Sequence, residues 1–250
     1  SEIIISPHNK KAIQGYTHIA LGWGASLTPP DTLRRAVQNL IKVLTAYTNI
    51  TASRDRRVDL GSPELFTYPF IYITTDKSFT LNDNELRNLK RYLLSGGFVI
   101  LDNGVPEYDT GHIGKALKKM VLDALNPPDL TDPKRGGIRP IPKRHPIYHC
   151  FFDFDDGPPQ GYGSSGKSAG SIYGIYWDRN LVGVYCPQGY GRMWHNPANE
   201  EQLKMGVNLV VNALAPGKWY NNDNRLAFSD KKTRTYTEWY ENGNVRFKAS

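Results

Sequence analysis

Apolar residues along this chain fall into two kinds of run that alternate with each other. Short apolar stretches, Tyr16 to Trp23 (YTHIALGW), Phe70 to Ile73 and Phe98 to Leu101, suit strands with both faces covered. Between and after them, apolar positions recur at helical spacing. The sets are Leu33, Ala36, Val37, Leu40, Ile41, Leu44; then Leu86, Leu89, Leu93; Ile113, Leu117, Met120, Val121; and Leu203, Val207, Val210, Val211, Leu214. The clearest unit is Leu81 to Asp102, which reads as cap, helix, glycine stop and strand. Asn82 can cap the helix, Glu85 can reach back to its amide, and Leu81 can staple to Leu86. Gly96 suits a left-handed C-cap, Gly97 a close helix–strand approach, and Asp102 stands where the following strand ends. In open α/β sheets, sites collect at the carboxyl ends of strands.

The remaining segments fill in around this frame. Residues 1–15 read as a polar leader around Ile3-Ile4-Ile5, and residues 16–216 as the main domain. Thr28-Pro29-Pro30-Asp31 predicts a helix start with Thr28 as N-cap, Pro29 at the first helical position and Asp31 completing a capping box. Arg57 to Leu60 suits an edge strand, residues 126–146 a long surface connection, and Ile147 to Phe154 another strand. Gly157 to Gly170 is a polar, glycine-rich loop, followed by strands at Ser171–Trp177 and Leu181–Cys186 joined by a tight turn. Ala215-Pro216-Gly217 closes the domain, and residues 217–250 form a tail whose Asn242-Gly243 is a hairpin signal. Strands alternating with helices predict an α/β three-layer sandwich with a mainly parallel central sheet.

Composition changes the picture in a few places. The net charge is +7, but the basic residues are scattered without interleaved aromatics, so a nucleic-acid groove is not expected. No run is long and apolar enough to span a bilayer. The chain begins at Ser1, which fits a removed targeting segment or a trimmed chain. Two cysteines, Cys150 and Cys186, exclude a disulfide-dense scaffold and any Cys-x-x-Cys motif. Of the 23 glycines and 15 tyrosines, 12 and 9 lie after residue 145, in the later part of the domain and the tail, a composition common in exported bacterial proteins. A periplasmic or extracellular location is therefore expected. Expected partners are a protein or a surface polymer, with a second copy of the chain as a further option.

Several blocks in order carry a resemblance. Asp59-Leu60, Ser62-Pro63-Glu64-Leu65-Phe66 and Tyr68-Pro69-Phe70-Ile71-Tyr72 come first, then Leu89, Tyr92-Leu93 and Gly96-Gly97-Phe98. His145-Pro146-Ile147-Tyr148-His149, Phe152, Tyr173 to Asp178 and Gly206 to Val211 complete the set. Over roughly residues 16–215 the chain resembles the bacterial domain-of-unknown-function family 4159. The resemblance implies a class I glutamine-amidotransferase-like α/β fold, often exported or membrane-attached, and no established activity. True amidotransferases of that fold carry a nucleophilic cysteine on a turn after a central strand. The matching turn here, Thr74 to Ser78, has none, so glutamine hydrolysis by that route is not expected.

Four candidate chemistries each have a plainer role beside them. His145, His149, Asp153 and Asp155 share parity on an extended strand, and such a donor set suits a divalent metal; the plainer reading has them capping turns. Asp102, His112, Tyr162, Trp194 and His195 are candidate ligand-binding positions if the loops converge at the strand ends, with Asp102 as a loop cap the alternative. Gly161 to Ser168 matches GxxxxGKS formally, but it runs into a strand where a phosphate loop must open a helix. Cys150 and Cys186 either pair, if their strands meet, or act as buried apolar residues. The favoured function is a non-catalytic binding or assembly domain without a resident cofactor; a metal-assisted hydrolase is the alternative.

Overall fold

The computed structural model describes residues 1–6, 9–106, 111–126, 136–163 and 170–215, with the backbone of 238–239 and 245–246. Its centre is an eight-stranded sheet among the described residues. In chain order the strands are β1 (Glu2–Ser6), β2 (Asn9–Trp23), β3 (Asn49–Asp59), β4 (Phe70–Thr75), β5 (Phe98–Asn103), β6 (Gly136–Pro140), β7 (Tyr173–Trp177) and β8 (Asn180–Cys186). The helices are α1 (Leu33–Tyr47), α2 (Asp83–Leu94), α3 (His112–Leu125), the short α4 (Tyr190–Met193) and α5 (Glu200–Leu214). None of the helices described is long and apolar enough to cross a membrane.

The parallel part of the sheet runs β3-β2-β4-β5-β8. That is the doubly wound order in which the strand order reverses between β2 and β4, and a crevice at such a point is the usual ligand site. β7 and then β6 extend the sheet antiparallel beyond β8. At the other end β2 pairs with β3 along one side, while Gln14 and Tyr16 pair with β1 and Ala20 and Leu21 with β4 along the other. β1 and β4 therefore lie in tandem along one flank of β2, and β3 is the edge.

Alternation along the central strands builds both apolar layers. Phe70, Tyr72, Phe98, Ile100, Val184 and Cys186 pack with α1 and α5. Ile71, Ile73, Val99, Leu101 and Tyr185 pack with α2 and α3. Successive side chains on a strand point to opposite faces, so a continuous apolar run is what a sheet covered on both sides requires. The expected three-layer α/β sandwich is the observed architecture.

Local differences from the sequence reading have identifiable causes. The described part of residues 1–15, read from sequence as a polar leader, joins the sheet: β1 and the first half of β2 extend it, with Ile3, Ile5 and Ile13 buried. α1 starts at Leu33 with Thr32 as its N-cap and no side-chain cap, so Thr28 does not hold its first turn. The edge strand expected at Arg57–Leu60 spans Asn49–Asp59, because parallel pairing with β2 satisfies a polar stretch that has little apolar signal of its own. Residues 147–154 are not a strand. Pro146–Tyr148 is a 3-10 turn, and the segment wraps α5, whose Asn208 amide donates to Ile147 O and Phe152 O and accepts from Phe152 N. The expected hairpin in the tail is seen as the pairing of Glu238–Trp239 with Val245–Arg246; the remainder of residues 216–250 lies outside the described residues.

Candidate functional site

The carboxyl ends of β2, β4, β5 and β8 face one end of the sheet, and the chain's own loops are tied across them. Glu85, at the third position of α2, is buried. One carboxylate oxygen accepts from Asn82 N at 2.8 Å, completing the capping box, and the other accepts from Ala25 N at 2.6 Å in the loop after β2. Ser26 accepts from Thr80 N at 3.0 Å and donates to Thr80 O at 2.5 Å. These bonds bridge the loops after β2 and β4, across the point where the strand order reverses.

Asp102, at the end of β5, organises the other half. Its Oδ1 accepts from Tyr190 N at 2.9 Å; its Oδ2 accepts from Tyr72 Oη and from Gly191 N, each at 2.8 Å. The carboxylate is thus the anchor that folds the segment after β8 back over the sheet. Gly191 has no side chain for a physical reason: a Cβ there would lie 2.6 Å from Tyr72 Oη and 3.1 Å from Asp102 Oδ2. Burial pushes the Asp102 carboxyl up to about 6, against the three donors, which favour its charged form. Tyr72 is pushed well above the usual phenol range by burial and by the Asp102 charge.

The expected ligand-binding residues are either engaged within the fold or stand on its surface. Asp102 spends its oxygens on loop anchoring and is 1% exposed, which is the loop-cap role. Trp194 is a core residue: it packs against Tyr72 with ring centroids 5.4 Å apart and donates its indole N–H to Gln202 O. His195 Nε2 bonds Thr32 O, and Asn39 Nδ2 donates to both Trp194 O and His195 O, so this turn is fastened to α1. His112 is exposed at the first position of α3. Tyr162 is 40% exposed with the Arg192 guanidinium 4.7 Å above its ring. Residues 164–169, which carry the Gly-Lys-Ser part of the glycine-rich match, lie outside the described residues; the next described element is the strand β7.

The histidine–aspartate cluster is partly assembled, by a turn and not by strand parity. His149 Nδ1 lies 3.4 Å from Asp153 and 3.8 Å from Asp155, and its Nε2 bonds Lys143 O at 2.9 Å. Asp153 also pairs with Lys10 at 2.5 Å. His145 caps the 3-10 turn, its Nδ1 accepting from Ile147 N, and burial, with a smaller contribution from neighbouring His149, lowers its pKa to about 4. Among the described residues, no three His, Cys, Asp or Glu side chains are grouped to hold a metal ion.

Both cysteines are free and buried, so the disulfide considered from sequence is not formed. With 147–154 wrapped on α5, the Cys150 thiol donates to Asn208 O at 3.4 Å, while Cys186 ends β8 level with Asp102. Burial raises both thiols above their ordinary range, and the Asp102 charge raises Cys186 further. Tyr72, Glu85, Ser26 and the 190–191 amides are the residues that sequence reasoning missed here. Glu85 was legible as a capping residue, but its bond to Ala25 spans sixty positions and leaves no local pattern.

The family model of a domain of unknown function, DUF4159, covers residues 28–214. A search of curated proteins finds no match.

Proposed function

We propose, from the premise that this chain belongs to the DUF4159 family, that it is a non-catalytic binding or assembly domain of an exported bacterial protein. One observation carries this reading. The end of the sheet where a doubly wound fold would place its chemistry is occupied by the chain's own loops, tied through Glu85, Ser26 and Asp102. The thiol nearest that end, Cys186, is fully buried and has its pKa raised, the opposite of what a nucleophile needs. Exposed Tyr162 under Arg192, on the loop hydrogen-bonded to Gln188, supports a recognition role for the rim. Two buried, protonated thiols are also compatible with an oxidising compartment, because thiolate and access are both required for oxidation.

The test pairs an activity screen with a binding assay on the full chain. Glutamine, ester, peptide and phosphomonoester substrates are offered with and without zinc or manganese, and co-sedimentation with isolated cell-surface polymer is measured in parallel. The expected result is no turnover above buffer, and polymer binding reduced by Tyr162→Ala. Metal-dependent turnover abolished by His149→Ala in a folded protein would replace this reading with the metal-assisted hydrolase.

A further inference from the structure

At the opposite end of the sheet lies a cleft of about 370 Å³, within the range of small-molecule sites. The last turn of α2 and the β7–β8 hairpin form its walls. Leu93, Leu94, Leu181 and Val182 line it with apolar surface, and Trp177 and Asp178 stand on the hairpin side. Leu94 is 46% exposed, and a Cβ added at Gly96 would meet no atom within 4 Å, so this wall faces open space.

Two features of the lining point to a charge preference. The first is Trp177. Elsewhere the chain places its own cations over its aromatic rings: Arg91 over Phe66, Lys118 over Tyr185, Arg139 over Tyr176 and Arg192 over Tyr162. Trp177, the aromatic with the strongest affinity for a cation, has none among the described residues. The second is Asp178. In a chain of net charge +7 its carboxylate has no ion-pair partner among the described residues. Arg179 is next to it in the turn but does not line the cleft. The carbonyl end of α2 adds partial negative charge on the facing wall.

We propose that this cleft binds a small organic cation with an apolar body, the ammonium held by Trp177 and Asp178 and the body by the four aliphatic side chains. The site lies away from the strand ends tied by Glu85 and Asp102 and stands whether or not the domain is catalytic.

The test uses phenethylammonium and its neutral counterpart 2-phenylethanol, titrated into the full chain by calorimetry and followed by amide and indole chemical shifts. Asp178 (φ 42°) and Arg179 (φ 67°) form a tight turn in the left-handed region, where asparagine is well tolerated, so Asp178→Asn removes the charge and keeps the fold. The ammonium is expected to bind about tenfold tighter than the alcohol, from one cation–π contact and one carboxylate. Shifts should centre on Gly96, Gly97 and the Trp177 indole. Asp178→Asn should weaken the ammonium about fivefold and leave the alcohol unchanged. Equal affinity for the two probes, insensitivity to Asp178→Asn, or no saturable binding of the ammonium up to about 10 mM would each overturn the proposal.

Discussion

Asp102 concentrates the residue-scale physics of this protein. It is a charge taken out of water and compensated by three donors, and its folded pKa of about 6 lies above the ordinary carboxylate value of 3.8. Between those two values the folded chain binds more protons than the unfolded one. This group's contribution is therefore fully present below about 3.8 and is lost as pH rises through about 6. The loss amounts to roughly 3 kcal/mol at most. Asp102→Asn carries no such titration, and its NH2 replaces one of the two oxygens that accept separately from Tyr190 N and Gly191 N. Denaturant unfolding should show the wild type losing its advantage over Asp102→Asn between about pH 4 and pH 6. A difference between the two proteins that stays constant, or grows with pH, would refute the linkage.

Elements here are held by their ends as much as by their faces. α2 carries a complete capping box, in which Asn82 Oδ1 accepts from Asn84 N and Glu85 N while Glu85 returns the bond to Asn82 N. α1 has no side-chain cap at all and relies on burial of Leu33, Ala36, Val37, Leu40 and Leu44. Asn82→Ala should therefore cost about 1 kcal/mol and Glu85→Gln about 1–3, since a glutamine can accept from only one of the two amides. Thr28→Ala should change stability by less than about 0.5 kcal/mol, because Thr28 caps nothing in the observed helix. Urea unfolding of the three variants checks the set; a Thr28 cost as large as that of Asn82 would place the start of α1 earlier. Hydrogen exchange at Ala25 should accelerate in Glu85→Gln and not in Asn82→Ala. At the sheet edge, β3 gains a residue relative to β2 between the pairs Ile19↔Arg54 and Leu21↔Arg57, a bulge on a charged edge that discourages pairing with another chain.

Across the whole molecule, the two thiols report on the integrity of both the sheet and its α5 layer. Native protein should show no reaction with a thiol reagent over the time in which the denatured, unreduced protein shows two free thiols, and native labelling should rise only under conditions that unfold it. Fewer than two thiols after denaturation would restore the disulfide. The sequence by itself determined the α/β class, the order of most elements and the two-faced central strands, since apolar periodicity and caps act over a few residues, as in Leu81 to Asp102. It also marked Asp102 as lying at a strand end. It could not determine the course of residues 147–154, whose apolar positions suited a strand until Asn208, about sixty residues on, supplied the amide that bends them around α5. Nor could it determine what Asp102 does there. Tyr72 lies 30 residues before it and the Tyr190 amide 88 after it. Contacts at such separations exist only once the sheet has brought β4, β5 and β8 side by side, so the closing of the strand ends was decided by the tertiary structure alone.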